Sequence, residues 1–331
     1  MLNKTIIYEK FQVKRNEPLN FIEKDAYLFK HEFKKDIPQS YLLHLNQPLI
    51  INNSIFDTKN YNFHFKHTFY KSHTIKKKLK DTLKNIIYSN KGTKNLEEGL
   101  WIVNSKSSNF GHWIIDAMCR LMLIPDKYSN YPVLLPSNFN ISWIIEILDY
   151  LEIKYTFLEL NQKYRVKDLI LTSDAHPSGN YNPDIVTKLR KIFLDKLNSD
   201  IEEKANRVWG YREHISRQVG NFNEIEIILN KYNFQLVKTE QLNLVEKINL
   251  FKNTEVLAGT HSSGLVNMIF MRKGSKLFEV RDYQDSHKNA LFSLASALGI
   301  KYFYTERSES LIEGDGNIDP IKFEESLLEC L

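Results

Sequence analysis

His112 and Asp116 stand four residues apart at the start of an apolar run, HWIIDAMCRLMLI. On a helix that spacing sets both side chains on one face. An imidazole beside a carboxylate can move a proton: the carboxylate orients the ring or is itself the base. The same pair could also serve as a helix cap. A second stretch with chemical potential is Gly259-Thr260-His261-Ser262-Ser263-Gly264, small and hydroxyl-bearing residues around one histidine. Residues 255–258 before it read as a buried strand, 265–271 after it as an apolar helix, and 276–280 as the next strand. Strand, turn, helix and strand form a βαβ unit and imply a parallel sheet. The turn then lies at the carboxyl end of a strand and the amino end of a helix. Unpaired N–H groups and the helix dipole favour a phosphate there. His261, Ser262, Ser263 and Gly264 are its candidate ligands.

The rest of the chain reads as the scaffold for these two stretches. Strands are expected at 100–104, 132–135, 155–158 and 166–172, with helices at 112–124 and 141–151 between them. Most of these strands are apolar without alternation, as when helices cover both faces of a sheet. Residues 176–183 carry two prolines and a glycine and read as a linker. A second alternating set follows, with helices at 184–197, 224–232, 244–253 and 286–298 and strands at 207–212, 235–238 and 301–304. Four segments result: 1–95, a strand-rich extension with a helix at 75–89; 96–183; 184–305; and a tail, 306–331, ending in a helix. Within the first, 61–70 alternates aromatic with polar residues, the period of a half-buried strand. His64 and His67 there read as surface or pairing residues. Two α/β domains joined by one linker would face a cleft.

Composition narrows the function classes. The chain has 331 residues, 42% hydrophobic, 12% aromatic and 26% charged, and a net charge of +5. That excludes a disordered chain and suits an anionic ligand or surface. The lysines are spread and no nucleic-acid motif occurs, so nucleic acid is not an expected partner. A local excess, KSHTIKKKLKDTLK at 71–84, could form a cationic helix face. Cys119 and Cys330 have no metal-ligand or redox spacing and suit a reducing compartment. No window approaches 18 apolar residues and the amino terminus lacks an apolar signal core. A cytoplasmic protein is expected, with peripheral contact at the inner membrane surface open. No Gly-x-Gly-x-x-Gly follows a strand, which argues against a nicotinamide-dependent oxidoreductase.

Three ordered segments resemble glycosyltransferase family 61. Asn109-Phe110-Gly111-His112-Trp113-Ile114-Ile115-Asp116 is similar to the family's N-x-x-H-W-x-x-D. Ile215-Ser216-Arg217 with Asn223-Glu224 is similar to its S-R and N-E segment. Gly259–Met271 is similar to G-x-H-G-A-G-L-x-N-x-x-F, with Ser262 and Ser263 where Gly and Ala are common. The resemblance covers roughly residues 100–306 and adds nothing for 1–95. It implies a GT-B architecture of two Rossmann-like domains, and inverting sugar transfer from a nucleotide donor, usually a UDP-sugar. It implies no cofactor and no metal at the diphosphate, and the spacing of Asp282 and Asp285 is too wide for an Asp-x-Asp site.

On that resemblance Asp116 or His112 takes the acceptor proton, and Asn109 and Trp113 stand on the acceptor side. Arg212 and Arg217 would grip the diphosphate with His261, Ser262, Ser263 and Gly264. Asn267 would brace the turn or reach the donor, and Glu279 would accept from ribose hydroxyls. The acceptor is expected to be a glycan or lipid-linked saccharide of surface or capsular polysaccharide synthesis. A non-catalytic nucleotide-sugar or glycan-binding protein of the same pathway is the alternative.

Overall fold

A computed structural model of the protein describes residues 3–69, 74–88, 92–197, 206–211, 219–308 and 316–331. The chain divides into two compact α/β units, Met1–Phe11 with Pro38–Pro177, and Gln12–Ile37 with Ser178–Leu331.

The first unit is built on a nine-stranded mixed sheet. Tyr155–Leu158, Val133–Pro136, Thr93–Trp101 and Lys163–Thr172 lie side by side and parallel. Val133–Pro136 is buried throughout, and the two longer strands are buried at their apolar carboxyl ends, residues 99–101 and 169–172, while their first halves carry exposed or half-buried polar residues. Beyond Lys163–Thr172 the direction reverses. Ser40–Asn46 and Leu49–Ile51 pair antiparallel with that strand, and Asn3–Tyr8 pairs antiparallel with Ser40–Asn46. Strands from the stretch expected as an extension thus complete this sheet. Gly99 permits the closest approach, because a Cβ there would sit 2.4 Å from the Leu134 side chain.

The expected strand at 61–70 is instead a two-residue strand, Asn62–Phe63, followed by one helical turn, Phe65–Thr68. Aromatics at 65 and 69 are four apart and meet edge-on at 5.9 Å, a helical neighbour relation that the alternation concealed. The turn carries His64 and His67 inward, where both are buried. Burial, and then the nearby Arg120, pushes His67 down to about 2, so it is neutral.

The second unit holds five parallel strands. They run in the order Phe234–Lys238, Asn206–Tyr211, Thr254–Thr260, Lys276–Arg281 and Lys301–Glu306. Numbered by sequence this is 2-1-3-4-5, an order of doubly wound sheets whose switch point lies between the strands ending at Tyr211 and Thr260. Trp209, Val256, Ala258, Phe278 and Phe303 share one buried cluster with Ile225 and Leu229 of the helix Phe222–Lys231 and with Phe323, Leu327 and Cys330 of the terminal helix Pro320–Cys330. Residues 12–37 cover the outer strand. Leu19 N–H donates to Tyr302 O, and the Asn20 amide exchanges two hydrogen bonds with the Tyr304 backbone. An exposed strand edge is thereby closed. No helix among the described residues is long and apolar enough to cross a membrane.

Phe323 is fully buried and meets Trp209 and Phe278 edge-on at 6.0 and 5.5 Å. Phe323→Ala should cost about 3–5 kcal/mol, read as a lowered midpoint in urea unfolding; a shift of under a tenth of that would show that the terminal helix does not stabilise the sheet.

Candidate active site

In the first unit the chain leaves Thr93–Trp101 through a turn in which Ser107 N–H donates to Asn104 O and Lys106 N–H to Asn104 Oδ1. Asn109 then caps the following helix. Its side chain accepts from His112 N–H at 3.4 Å and its carbonyl from Trp113 N–H at 2.8 Å. The helix widens at Trp113–Ala117 into a π-type turn, where Met118 N–H reaches back five residues to Trp113 O. Such turns recur at functional sites. Asp116 lies in it, and His112 Nδ1–H donates to Asp116 Oδ2 at 2.6 Å. The His112 side chain is 27% exposed and that of Asp116 10%.

Two buried cations or potential cations support this turn. Arg120 Nε donates to Thr172 Oγ1, and its Nη2 to the carbonyls of Thr172 and His67. His176 Nε2–H donates to Ile115 O at 2.8 Å. Burial lowers the proton affinity of both side chains, while the Asp116 carboxylate draws both the other way. Neither was singled out from the sequence, where His176 reads as part of a linker. Trp113 corrects an expectation. Its indole is fully buried against Phe139 and Trp143, so it packs the helix onto the core and presents no face to an acceptor.

In the second unit, the turn after Thr254–Thr260 sits at the switch point. Gly259 lies so close to the neighbouring strand that a Cβ would meet Gly210 O at 3.2 Å. His261 N–H donates to Val280 O. Ser262 is buried, and its carbonyl accepts from Leu265 N–H. The expected helix is a 3-10 run, Ser263–Phe270, which also leaves its first N–H groups without partners inside the helix. Every residue from Leu265 to Met271 is buried. Gly264 passes Thr239 closely, with 3.2 Å between a built Cβ and Thr239 Oγ1. Asn267 braces the turn, donating to Gly264 O at 2.8 Å.

Glu279 corrects a second expectation. It has no exposure, and both carboxylate oxygens are engaged within the protein. Oε1 accepts from His261 Nδ1–H, and Oε2 accepts from the Tyr302 hydroxyl at 2.6 Å. Arg281 Nη1 donates to the same hydroxyl at 3.1 Å and lies 3.8 Å from Oε2. Arg281 also donates to Asp285 O and Asn289 Oδ1, and its guanidinium lies 4.8 Å from the centre of the Phe29 ring. Glu279 therefore orients His261 and leaves no oxygen for a ribose. Burial disfavours its charge, but His261, Arg281 and Tyr302 overcome this and hold the carboxyl below its ordinary value. Burial, then Glu279, raises Tyr302. A Glu-x-Arg spacing inside an apolar strand was the available signal, since i and i+2 share a face.

Arg212 and Arg217, with the Ile215-Ser216-Arg217 segment, lie outside the described residues. The strand Asn206–Tyr211 ends immediately before them, beside the strand that leads to His261. Asn223 and Glu224 start the helix Phe222–Lys231. The first unit also holds a polar cavity of about 700 Å³ lined by Asn52, Phe69, Lys77, Asp81, Asn138 and Asn161 among others; His112 and Asp116 are not in its wall.

Comparison with known proteins bears on both sites. Residues 110–278, which include the His112–Asp116 pair and the His261 turn, match the family described as Glycosyltransferase 61. A stretch of 107 residues is 29% identical to the EGF domain-specific O-linked N-acetylglucosamine transferase of Drosophila melanogaster. The match covers 31% of this chain and spans a fifth, 20%, of that relative's length.

A carboxylate held below its ordinary value of 4.5 in the fold contributes stability that is full above the free-glutamate range and is lost as pH falls through the folded value. Glu279→Gln should cost about 3–5 kcal/mol near neutrality, because it strands Arg281 beside a neutral amide. The loss should shrink as pH drops below 4.5, and urea midpoints against pH would show it. A constant loss across that range would mean the carboxylate is not charged in the fold.

Proposed function

The chain belongs to glycosyltransferase family 61, and on that premise we propose an inverting enzyme of GT-B type that moves a sugar from a UDP-sugar to a glycan or lipid-linked acceptor. The pathway is surface or capsular polysaccharide synthesis, and the setting the cytoplasm. Glycosyltransferase activity itself follows from the family and from the relative's name. The observation that carries the finer reading is the pair of imidazole–carboxylate contacts, one in each unit, with His112, Asp116 and His261 inside the family match and Glu279 immediately after it.

In the first unit His112 is the base and Asp116 its orienter. With Nδ1–H donated to Asp116, Nε2 is the basic nitrogen. It takes the acceptor hydroxyl proton while the acceptor oxygen bonds the anomeric carbon and the bond to the donor diphosphate breaks. In the second unit the leaving diphosphate is received by the turn at Ser262–Gly264 and by His261. The buried Glu279 accepts from His261 Nδ1–H and so fixes the direction of the ring beside this turn. Arg212 and Arg217 supply further positive charge. In this reading protein groups replace a metal, and no cofactor is used.

A thermal-shift screen of UDP-, GDP-, CMP- and dTDP-sugars should single out the UDP donors. His112→Ala should lower kcat by about 10²–10⁴-fold with the donor shift retained, whereas His261→Ala should remove that shift. Full-rate transfer by His112→Ala and Asp116→Asn would refute the base assignment. A donor shift with no transfer by the wild type to any acceptor would favour a binding protein.

Chelation with EDTA should leave transfer unchanged. Loss of activity that returns with added magnesium or manganese would overturn the metal-free reading.

A further inference from the structure

The helix Ile75–Tyr88 is amphipathic the wrong way round for a core element. Its described apolar side chains, Ile75, Leu79 and Leu83, form one row at four-residue spacing and are 72%, 45% and 58% exposed. A row of this kind in a globular protein ordinarily faces the core. The helix is held instead through its polar side. Thr82 is buried with its hydroxyl 3.1 Å from Ser54 Oγ, and Lys78 and Asp81 are half-buried. Beside the apolar row runs a second row at the same spacing, Lys76, Lys80 and Lys84, all exposed. Lys77 stands on the next face, where it lines the cavity with Asp81 and Lys84, and Asp81 is the one acidic residue on the helix.

We infer that this helix is a membrane-surface element that lies on an anionic lipid layer, with Ile75, Leu79 and Leu83 at the acyl boundary and the lysine row among the headgroup phosphates. Adjacent apolar and basic rows are the pattern of a helix lying in the interface plane. Lysine stems run along apolar surface and keep their ammonium groups in the polar layer. Charge selects this occupant over the others. A second copy of the chain docking by the same face would bring the two lysine rows together, and like charges at close range repel. A nucleic acid would match the lysines but leave the apolar row in water. An anionic lipid surface satisfies both rows at once. The inference stands on this helix alone and is independent of the donor and base assignments. It names where a lipid-linked acceptor would be met.

The test is cosedimentation of the full chain with vesicles of phosphatidylcholine alone and of phosphatidylcholine mixed equally with phosphatidylglycerol, without sugars. Each lysine near an anionic surface strengthens partitioning by about fivefold. The wild type should therefore bind the mixed vesicles at least tenfold better than the neutral ones, and less well in high salt. Leu79→Ser with Leu83→Ser should weaken that binding about tenfold, and Lys76→Gln with Lys80→Gln should reduce the preference for phosphatidylglycerol by a similar factor. These side chains are exposed, so melting temperatures and transfer to a water-soluble acceptor should match the wild type. Equal binding to the two vesicle types, or wild-type binding by both variants, would overturn the inference. So would a wild-type dimer in light scattering that the Leu79 and Leu83 changes dissolve, with no capture by vesicles; that result would make the row a self-association face.

Discussion

A carboxylate with no water around it is the strongest constraint on the second unit. Glu279 can keep its charge at zero exposure only because every lone pair that matters is met. The partners come from three neighbouring strands. Gly259 pairs with Glu279 and Glu279 with Tyr304 across the ladder. The strand that ends in the turn therefore delivers His261 from one side, and the outer strand delivers Tyr302 from the other. Arg281, two residues along, lies on the same face as Glu279. A slip of one residue in either pairing would turn these side chains to the opposite face, where Phe278, Val280 and Phe303 form the apolar cluster. The network thus fixes the register of the sheet and the direction of the His261 ring by the same bonds.

The two imidazole–carboxylate pairs differ in what surrounds them. Asp116 keeps some exposure and sits at a π-type turn above a buried arginine. Glu279 is sealed. A half-wet pair can exchange protons with a substrate or water, which suits a base. A sealed carboxylate held below its ordinary value keeps its negative charge, which suits holding a ring in one orientation.

How much of this was legible depended on range. The α/β class, most strands and the His112–Asp116 pair rest on neighbours within a few residues, and the sequence shows them directly. The role of Glu279 does not follow from its own neighbourhood, because Tyr302 lies 23 residues on. Arg120 reads as one polar residue in an apolar helix until its partner Thr172, 52 residues away, is seen. Trp113 sits in the same motif as His112, yet adjacent helical positions point in different directions, so the motif placed it correctly in sequence and not in space. At 61–70 a helical turn and a strand share the same aromatic spacing for the first few residues.

The Asn20 clamp on the outer strand has a consequence for how the molecule is made. Its partner Tyr304 lies 284 residues downstream. Residues 12–37 leave the ribosome before most of the first unit and before all of the strands they will cover. They wait, with Phe29 and its neighbours unburied, until the strand Lys301–Glu306 has been synthesised. The first unit can close behind them, since its residues end at Pro177. The second can only be completed by a segment held since the beginning, and non-local closures of this kind are slow. Of the two units, the one that bears the His261 turn is therefore finished last, and its unfinished strand edge is the place where a nascent chain is most open to mispairing.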